Sequence, residues 1–254
     1  MIDRAAITVL WMREMKRFIR AKSRIVGALA MPLFFLGFLG MGFRRMAMPG
    51  MGEGVDYIQF LVPGILGMSL LFSSTFGGLS VLWDREFGFL KEIMVAPVSR
   101  VSIVLGRIAG GVTTSMIQGL LIFAISFLMG FRLRSLPMLV LAFVFMTLIS
   151  ITFLGLGLVF ASMMRDMQGF NIVMNFVIFP LFFLSGALYP LDSFPVWLKG
   201  LSYIDPLTYG IDGLRASLIG FSSFSLAFDL AVMGCFALGM IFLGAFLFDR
   251  SESV

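Results

Sequence analysis

Residues 136–164 read LPMLVLAFVFMTLISITFLGLGLVFASMM, which is 29 consecutive positions without a charged side chain. The hydrocarbon core of a bilayer is about 30 Å thick, and roughly 20 apolar residues cross it as an α-helix. A span must be helical, because hydrocarbon offers no hydrogen-bonding partner to an unpaired backbone N–H or C=O. This stretch is therefore predicted to be a membrane-spanning helix, and it decides the fold class.

Five further uncharged runs of similar length lie on either side of this one in the sequence. They are residues 25–43, 57–83, 108–131, 167–191 and 230–248. The chain is 59% hydrophobic and 13% charged, and it contains 28 glycines, which suit the close packing of membrane helices. The sequence predicts an all-α integral membrane protein, with one domain of six spans over residues 25–250, numbered first to sixth in chain order.

The basic residues are distributed unevenly between the two sides of these runs. Of the 19 Lys and Arg, 13 lie on the side of the N-terminus and six on the other side. Loops rich in Lys and Arg stay in the cytoplasm, so we expect a multi-pass protein of the cell membrane with both chain termini cytoplasmic. The net charge of +5 therefore indicates orientation and not a nucleic-acid partner.

The cysteine and histidine content limits which covalent, catalytic and metal-binding sites the chain can form. The single cysteine, Cys235, lies inside the sixth span and excludes an intrachain disulfide. The sequence has no histidine, which excludes His-based catalysis and His-ligated metal sites. No metal site is predicted.

Residues 1–24 are predicted to form an amphipathic helix at the membrane surface. At about 100° per residue the apolar and the basic side chains fall in separate arcs. The apolar arc contains Ile7, Trp11, Met12, Met15, Phe18 and Ile19, and the basic arc contains Arg13, Lys16, Arg17, Arg20 and Arg24. The apolar arc suits the lipid boundary, and the basic arc suits headgroups and cytosol. Two roles stay open, which are lipid anchoring alone or additional docking of a cytoplasmic partner.

The second cytoplasmic segment, residues 84–107, is too apolar for a simple connecting loop. Residues 83–100 read WDREFGFLKEIMVAPVSR, where charges of both signs alternate with large apolar side chains. This composition is typical of a short amphipathic helix that binds another protein. Pro97 disfavours helix at the residue before it, and Ser99 is placed to cap the third span.

This segment resembles the loop between the second and third spans of the membrane subunits of ABC-2-type exporters, of the daunorubicin-resistance and nodulation-export kind. Those loops read approximately R-E-x-G-x-x-x-x-x-x-x-x-P-x-[ST]-R, followed by Gly-Lys or Gly-Arg. The matching positions are Arg85, Glu86, Gly88, Pro97, Ser99, Arg100, Gly106 and Arg107. The resemblance implies that residues 84–107 are the family's coupling helix, which inserts into a groove of the ATPase subunit, and that residues 1–24 are its interface helix. The positions expected to couple to the ATPase are Arg85, Glu86, Phe87, Gly88, Leu90, Lys91, Glu92, Pro97 and Arg100.

A second resemblance lies in residues 183–215, FLSGALYPLDSFPVWLKGLSYIDPLTYGIDGLR. This stretch is similar to a family pattern that runs from Ser-Gly through P-x-x-x-x-P and N-P-x-x-Y to a final Arg. The matching positions are Ser185, Gly186, Pro190, Pro195, Pro206, Tyr209 and Arg215, with Asp205 in place of the usual Asn. The resemblance implies outer re-entrant helices over residues 186–215. Asp205 is expected to add an acid to the outer face.

Polar side chains inside the spans are candidates for a translocation path. Gln168, Asn171 and Asn175 lie within about 60° of one another on the fifth span, and amides in lipid face a partner helix or a polar path. Ser69 and Ser73, with Ser80, share one face of the second span, where hydroxyls can also bond the preceding turn. Helix packing is the alternative role for both sets, whereas in the ABC-2 family the second and fifth spans border the path.

One more polar residue lies at a membrane boundary. Asp229 precedes the sixth span. We expect it to stay hydrated near the outer interface and to stabilise the N-terminus of that helix.

No G-x-x-x-x-G-K-[ST] phosphate loop occurs in the sequence. We therefore expect a transport subunit that is not itself an enzyme and binds no cofactor, with ATP and Mg²⁺ held by a partner. The resemblance implies an ABC ATPase subunit and a second membrane subunit, in a homodimer, and export of an amphipathic drug-like molecule, lipid or lipid-linked glycan. The alternative is a non-transporting membrane anchor that recruits an ATPase for regulation.

Overall fold

The six uncharged runs form six helices long and apolar enough to cross a membrane, which confirms the predicted all-α membrane architecture. The structure is a computed structural model, and it describes residues 3–43, 56–88, 98–164 and 166–251, within which no β-strand occurs. In chain order the spans are α2 (Lys22–Gly42), α3 (Tyr57–Gly77), α5 (Arg100–Leu128), α6 (Leu139–Met163), α7 (Met167–Leu184) and α10 (Leu226–Ser251). Four shorter helices complete the described fold: α1 (Arg4–Arg20), α4 (Leu79–Glu86), α8 (Val196–Ser202) and α9 (Pro206–Ile219).

Both ends of the predicted segment 84–107 lie in helices. Asp84 lies inside α4, which continues the second span, and residues 100–107 form the first two turns of α5. Ser99 is the N-cap of α5, as predicted, because its side chain accepts a hydrogen bond from the backbone N–H of Ser102. Among the described residues, helix therefore extends to Glu86 on one side of the segment and begins again at Arg100 on the other.

The fifth span also ends earlier than the uncharged run suggests. The helix α7 stops at Leu184, and Gly186 has a left-handed φ of +70°. Glycine adopts this conformation without the steric penalty of a Cβ atom, so the Ser-Gly pair turns the chain out of the helix. The predicted interruption of the fifth span by this pair is confirmed.

The helices α3 and α6 form the centre of the described fold. The helix α6 packs against α3, α5, α9 and α10, and most of α3 is buried along its length. Gly157 of α6 allows a close approach to α3, since a Cβ atom there would lie 2.2 Å from the carbonyl oxygen of Thr75. Small residues at such contacts let membrane helices pack backbone to backbone.

The N-terminal helix α1 packs against the first half of α5. Leu10 is buried there against Gly106, and the Trp11 Nε1 donates a hydrogen bond to Thr113 Oγ1 at 3.1 Å. The expectation that the whole basic arc faces headgroups is wrong for Arg13, because its guanidinium points inward to a carboxylate of α4. The helix therefore contacts the spans through a face that includes charged as well as apolar residues.

Candidate functional site

The surface at the end of α4 contains the first part of the predicted coupling segment. Glu86 is exposed, Phe87 is 80% exposed, and Gly88 has a left-handed φ of +73° that turns the chain away from the helix. An aromatic side chain this exposed is a typical anchor for a protein partner. Four further coupling positions lie outside the described residues: Leu90, Lys91, Glu92 and Pro97. Arg85 and Arg100 lie at helix ends, and nothing is described of their side chains.

A buried charge cluster lies directly beneath this surface. Arg13 donates two hydrogen bonds to the carboxylate of Asp84, at 3.0 and 2.5 Å, and Arg107 Nη2 lies 2.9 Å from Asp84 Oδ2. The hydrogen bond to Asp84 raises the pKa of Arg13, so its charge is retained. Beside the cluster, the guanidinium of Arg17 lies 4.3 Å from the ring centroid of Trp83. One carboxylate thus links α1, α4 and α5.

Sequence reasoning did not predict this cluster, although a signal for it was present. Asp84 follows the second uncharged run and Arg107 precedes the third. Consecutive antiparallel spans bring these two positions to the same membrane boundary, and a buried charge requires an opposite partner. Opposite charges at the facing ends of two consecutive runs therefore predict an ion pair.

A cavity of about 310 Å³ opens between α1, α2, α3 and α5. Ser69 and Ser73, two predicted path residues, line it together with Ser80. Gln118 and Thr114 of α5 line the opposite wall, a contribution that sequence reasoning missed. The signal for Gln118 was the one amide side chain within an uncharged span. The shared serine face of the second span is thus directed at a real space within the chain.

The amides of the fifth span are not part of this cavity. Gln168 and Asn175 are exposed on the open face of α7, near the exposed side chains of Ile172 and Phe176. Asn171 bonds its own helix, since its Nδ2 donates to the carbonyl oxygen of Met167 at 2.9 Å. Within the described chain, the serine set and the amide set therefore do not meet.

The predicted outer motif forms a compact segment held by Arg215. Its Nη2 donates to the carbonyl oxygens of Gly186 at 2.7 Å and Ala187 at 3.1 Å, and its Nε donates to that of Phe60 at 3.3 Å. The guanidinium also lies 3.7 Å from the centroid of the Phe60 ring. Arg215 therefore ties the turn after α7 to the start of α3, through α9.

The other residues of the outer motif shape the chain around this contact. Pro190 and Pro195 precede the 3₁₀ turn Leu191–Ser193 and the helix α8, and Pro206 is the first residue of α9. Tyr209 donates its hydroxyl to the carbonyl oxygen of Tyr203 at 2.7 Å, and Ser185 bonds its own helix at Phe182. The fold thus brings the motif residues together, and most of them begin helices or form local hydrogen bonds.

Two acidic residues of this region are buried, contrary to expectation. Asp205 caps α9 by accepting the backbone N–H of Leu207 at 2.9 Å, and burial raises its pKa to about 8. Asp229 lies in the first turn of α10, as predicted, but it is fully buried next to Asp212 and is not hydrated. The expectation of two exposed outer acids is therefore wrong, because α9 packs into the core and excludes water from both.

The described residues contain no group of three or more His, Cys, Asp or Glu side chains placed to hold a metal ion.

Comparison with known proteins gives concordant matches along the chain. The family model described as ABC-2 type transporter matches residues 5–219. Inner membrane transport permease YadH of Escherichia coli K12 is 29% identical over 247 residues, which covers 95% of this chain and 91% of that protein. Putative transport permease ycf38 of Cyanophora paradoxa is 31% identical over 213 residues, covering 82% and 73%. Nodulation protein J of Rhizobium meliloti is 28% identical over 237 residues, covering 91% and 87%.

Proposed function

Because the chain belongs to the ABC-2 type transporter family, we propose that it exports an amphipathic molecule with the energy supplied by a separate ATPase subunit. Membership makes it a membrane permease subunit of an ABC transporter and a multi-pass protein of the cell membrane. The direction of transport, the class of cargo and the ATPase partner go beyond family membership and are our proposal. Drug-like molecules, lipids and lipid-linked glycans are the cargo classes that fit a chain with apolar, Phe-rich walls.

Orientation is the first step of the proposal. The excess of Lys and Arg around α1 and the 84–107 segment supports a cytoplasmic position for this side and for both chain termini. The exposed Phe87 then points into the cytoplasm, where an ATPase is available as its partner. The ATPase would hold ATP and Mg²⁺, because this sequence has no phosphate loop.

The observation that carries the proposal is the charge cluster beneath that surface. Asp84 lies two residues before Glu86, and it is bonded to Arg13 of α1 and paired with Arg107 of α5. Breaking the pair of Asp84 with Arg107 would leave a buried charge uncompensated, which favours movements that keep α4 and α5 together. A force applied at Phe87 would therefore reach the interface helix and the third span as a movement of one body.

The open face of α7 supports a second membrane subunit, which we propose to be an identical copy. Gln168 and Asn175 are exposed on a helix that crosses the hydrocarbon, where amides without partners are unfavourable. Packing of α7 against a second subunit would remove these amides from lipid and place them along a shared polar path. Ser69 and Ser73 would then serve the cargo from the cavity inside each chain.

The competing function is a membrane anchor that recruits an ATPase without transport. The exposed Phe87 suits both functions, whereas a polar-lined cavity within the spans favours transport. The test is co-expression with each candidate ABC ATPase subunit of the same organism, followed by reconstitution into vesicles. A transporter shows ATP hydrolysis stimulated by amphipathic compounds and ATP-dependent movement of at least one of them. An anchor binds the ATPase but gives neither response, and absence of any complex refutes both functions.

A further inference from the structure

The cavity between α1, α2, α3 and α5 has a distinct polarity along its length. Its lining near the α4 end contains Arg17, Arg107 and Glu14, which are two guanidiniums and one carboxylate. The middle walls are apolar and aromatic, formed by Phe72 and Phe76 with other side chains of α1 and α2. Gln118 lies 11 residues beyond Arg107 on α5, which is about 16 Å along the helix.

Gln118 indicates that the deep end of the cavity is prepared for a polar group. Its side chain is 4% exposed, and its Oε1 has no hydrogen-bond partner in the described chain. A buried acceptor left without a partner is destabilising, and because this one lies in the lining of a cavity, a bound group that donates a hydrogen bond would remove the penalty. Ser69 faces the same space from α3. A ligand with a hydroxyl or amide at this depth would satisfy Gln118.

The charges that line the other end favour an anion. Arg17 pairs with Glu14 only at 4.0 Å, and its side chain remains partly exposed. Arg107 shares the carboxylate of Asp84 with Arg13. With two lining cations and one lining anion, a carboxylate or sulfonate of a ligand would be attracted to this end.

We infer that this cavity is a binding site, within a single chain, for an amphipathic organic anion that carries hydroxyl or amide groups along an apolar body. The anion would lie beside Arg17, the apolar body between Phe72 and Phe76, and a hydroxyl at Gln118. The volume of about 310 Å³ is at the lower end of the range of small-molecule sites. The inference rests on the proposed function for the role of this site in holding cargo, whereas binding itself needs no ATPase.

The test is equilibrium binding of radiolabelled cholate to the purified permease in phosphatidylcholine nanodiscs, with empty nanodiscs subtracted. Cholate has a carboxylate at one end of a rigid apolar body that bears three hydroxyls. Deoxycholate and lithocholate keep the carboxylate but lose one and two hydroxyls, so they enter lipid more readily. Recognition by the cavity predicts saturable binding in the order cholate, deoxycholate, lithocholate, and simple partition into lipid predicts the reverse.

Matched variants locate the binding. Gln118→Leu should weaken cholate binding about five- to tenfold, the effect of one lost hydrogen bond, and should raise the melting temperature of the ligand-free protein because a buried unpaired acceptor is removed. Arg17→Gln should weaken binding about tenfold, as for a hydrogen bond to a charged group. The controls are Arg20→Gln, on the same helix outside the cavity, and Ser74→Ala, whose hydroxyl bonds Ser115 and not the cavity.

Several results would overturn the inference. These are the absence of saturable binding, an affinity order that follows hydrophobicity, equal displacement of cholate by acetate, or a Gln118→Leu variant that binds like the wild type. Loss of binding in both controls would likewise assign the effect to general destabilisation. Because the assay contains no ATPase, these failures are distinct from a failure of the proposed ATP-driven export.

Discussion

Replacement of Asp84 by Asn tests whether this carboxylate belongs to a buried ion cluster or is a solvated charge of a loop. The change keeps the size of the side chain but removes the negative charge shared by Arg13 and Arg107. The side chains of Asp84 and Arg107 are 4% and 5% exposed, whereas that of Arg13 is 31% exposed. Arg13 can therefore be hydrated once released, and Arg107 cannot.

The expected magnitude follows from that difference. Removal of one partner of a buried ion pair costs about 3–5 kcal/mol. The side-chain amide oxygen of Asn still accepts one hydrogen bond, so we expect a loss at the lower end of this range, about 3 kcal/mol. For a chain of this size, that loss lowers the melting temperature by about 6–12 °C.

The assay is the intrinsic tryptophan fluorescence of purified protein during heating, with every variant in the same detergent. Glu86→Gln is the matched control, because Glu86 is an exposed carboxylate two residues further along α4. Its expected effect is within about 0.5 kcal/mol, as is usual for surface substitutions. The double variant Asp84→Asn with Arg107→Gln should lose less free energy of unfolding than the sum of the losses of the two single variants, because the buried cation is removed as well. If Asp84→Asn melts together with Glu86→Gln, the cluster does not hold α1, α4 and α5 together.

Three further predictions concern the outer segment and the open face of α7. Burial raises the pKa of Asp205 from 3.8 to about 8, so the wild type should lose melting temperature as pH rises from about 4 to 8. Asp205→Asn should reduce this loss, because the variant has no carboxyl at this position. Arg215→Lys should lower the melting temperature by several degrees, because one ammonium cannot reach the carbonyls of both Phe60 and Gly186, and Arg132→Lys, at an exposed position, should leave it unchanged. Asn175→Leu should leave assembly with the ATPase intact while changing substrate-stimulated ATP hydrolysis, and dissociation of the complex would instead assign this amide to helix packing.

The spans could be predicted from the sequence because their signals are local. The length of an uncharged run determines whether it crosses a bilayer, and Ser99 and Gly186 determine helix ends through their own backbone and side-chain preferences. The outer motif was also predictable as a break in the fifth span. The role of Arg215 in holding the outer motif together could be recognised only in the folded structure, because its hydrogen-bond acceptors are 28 to 155 residues away in the sequence.

Burial of the outer acids could not be predicted from the same signals. Asp205 and Asp229 were predicted to be exposed acids, since nothing in their local sequence indicates that α9 packs into the core. Arg13 likewise belongs to a basic arc by periodicity and to an ion cluster by tertiary contact. The role of the coupling segment stays a prediction, with Glu86 and Phe87 described on the surface and positions 90–92 outside the described residues.

The most direct measurement of the central claim is cysteine crosslinking between the permease and its ATPase. Single cysteines are introduced by Phe87→Cys and, on the opposite side, Ser193→Cys, each with Cys235→Ala to remove the native thiol. With the photoactivated reagent benzophenone-4-maleimide, which couples the introduced cysteine to C–H groups of any protein in contact with it, we expect an ATPase adduct from position 87 and none from position 193. An adduct from position 193, or an intact complex that gives none from position 87, would contradict both the orientation and the docking surface.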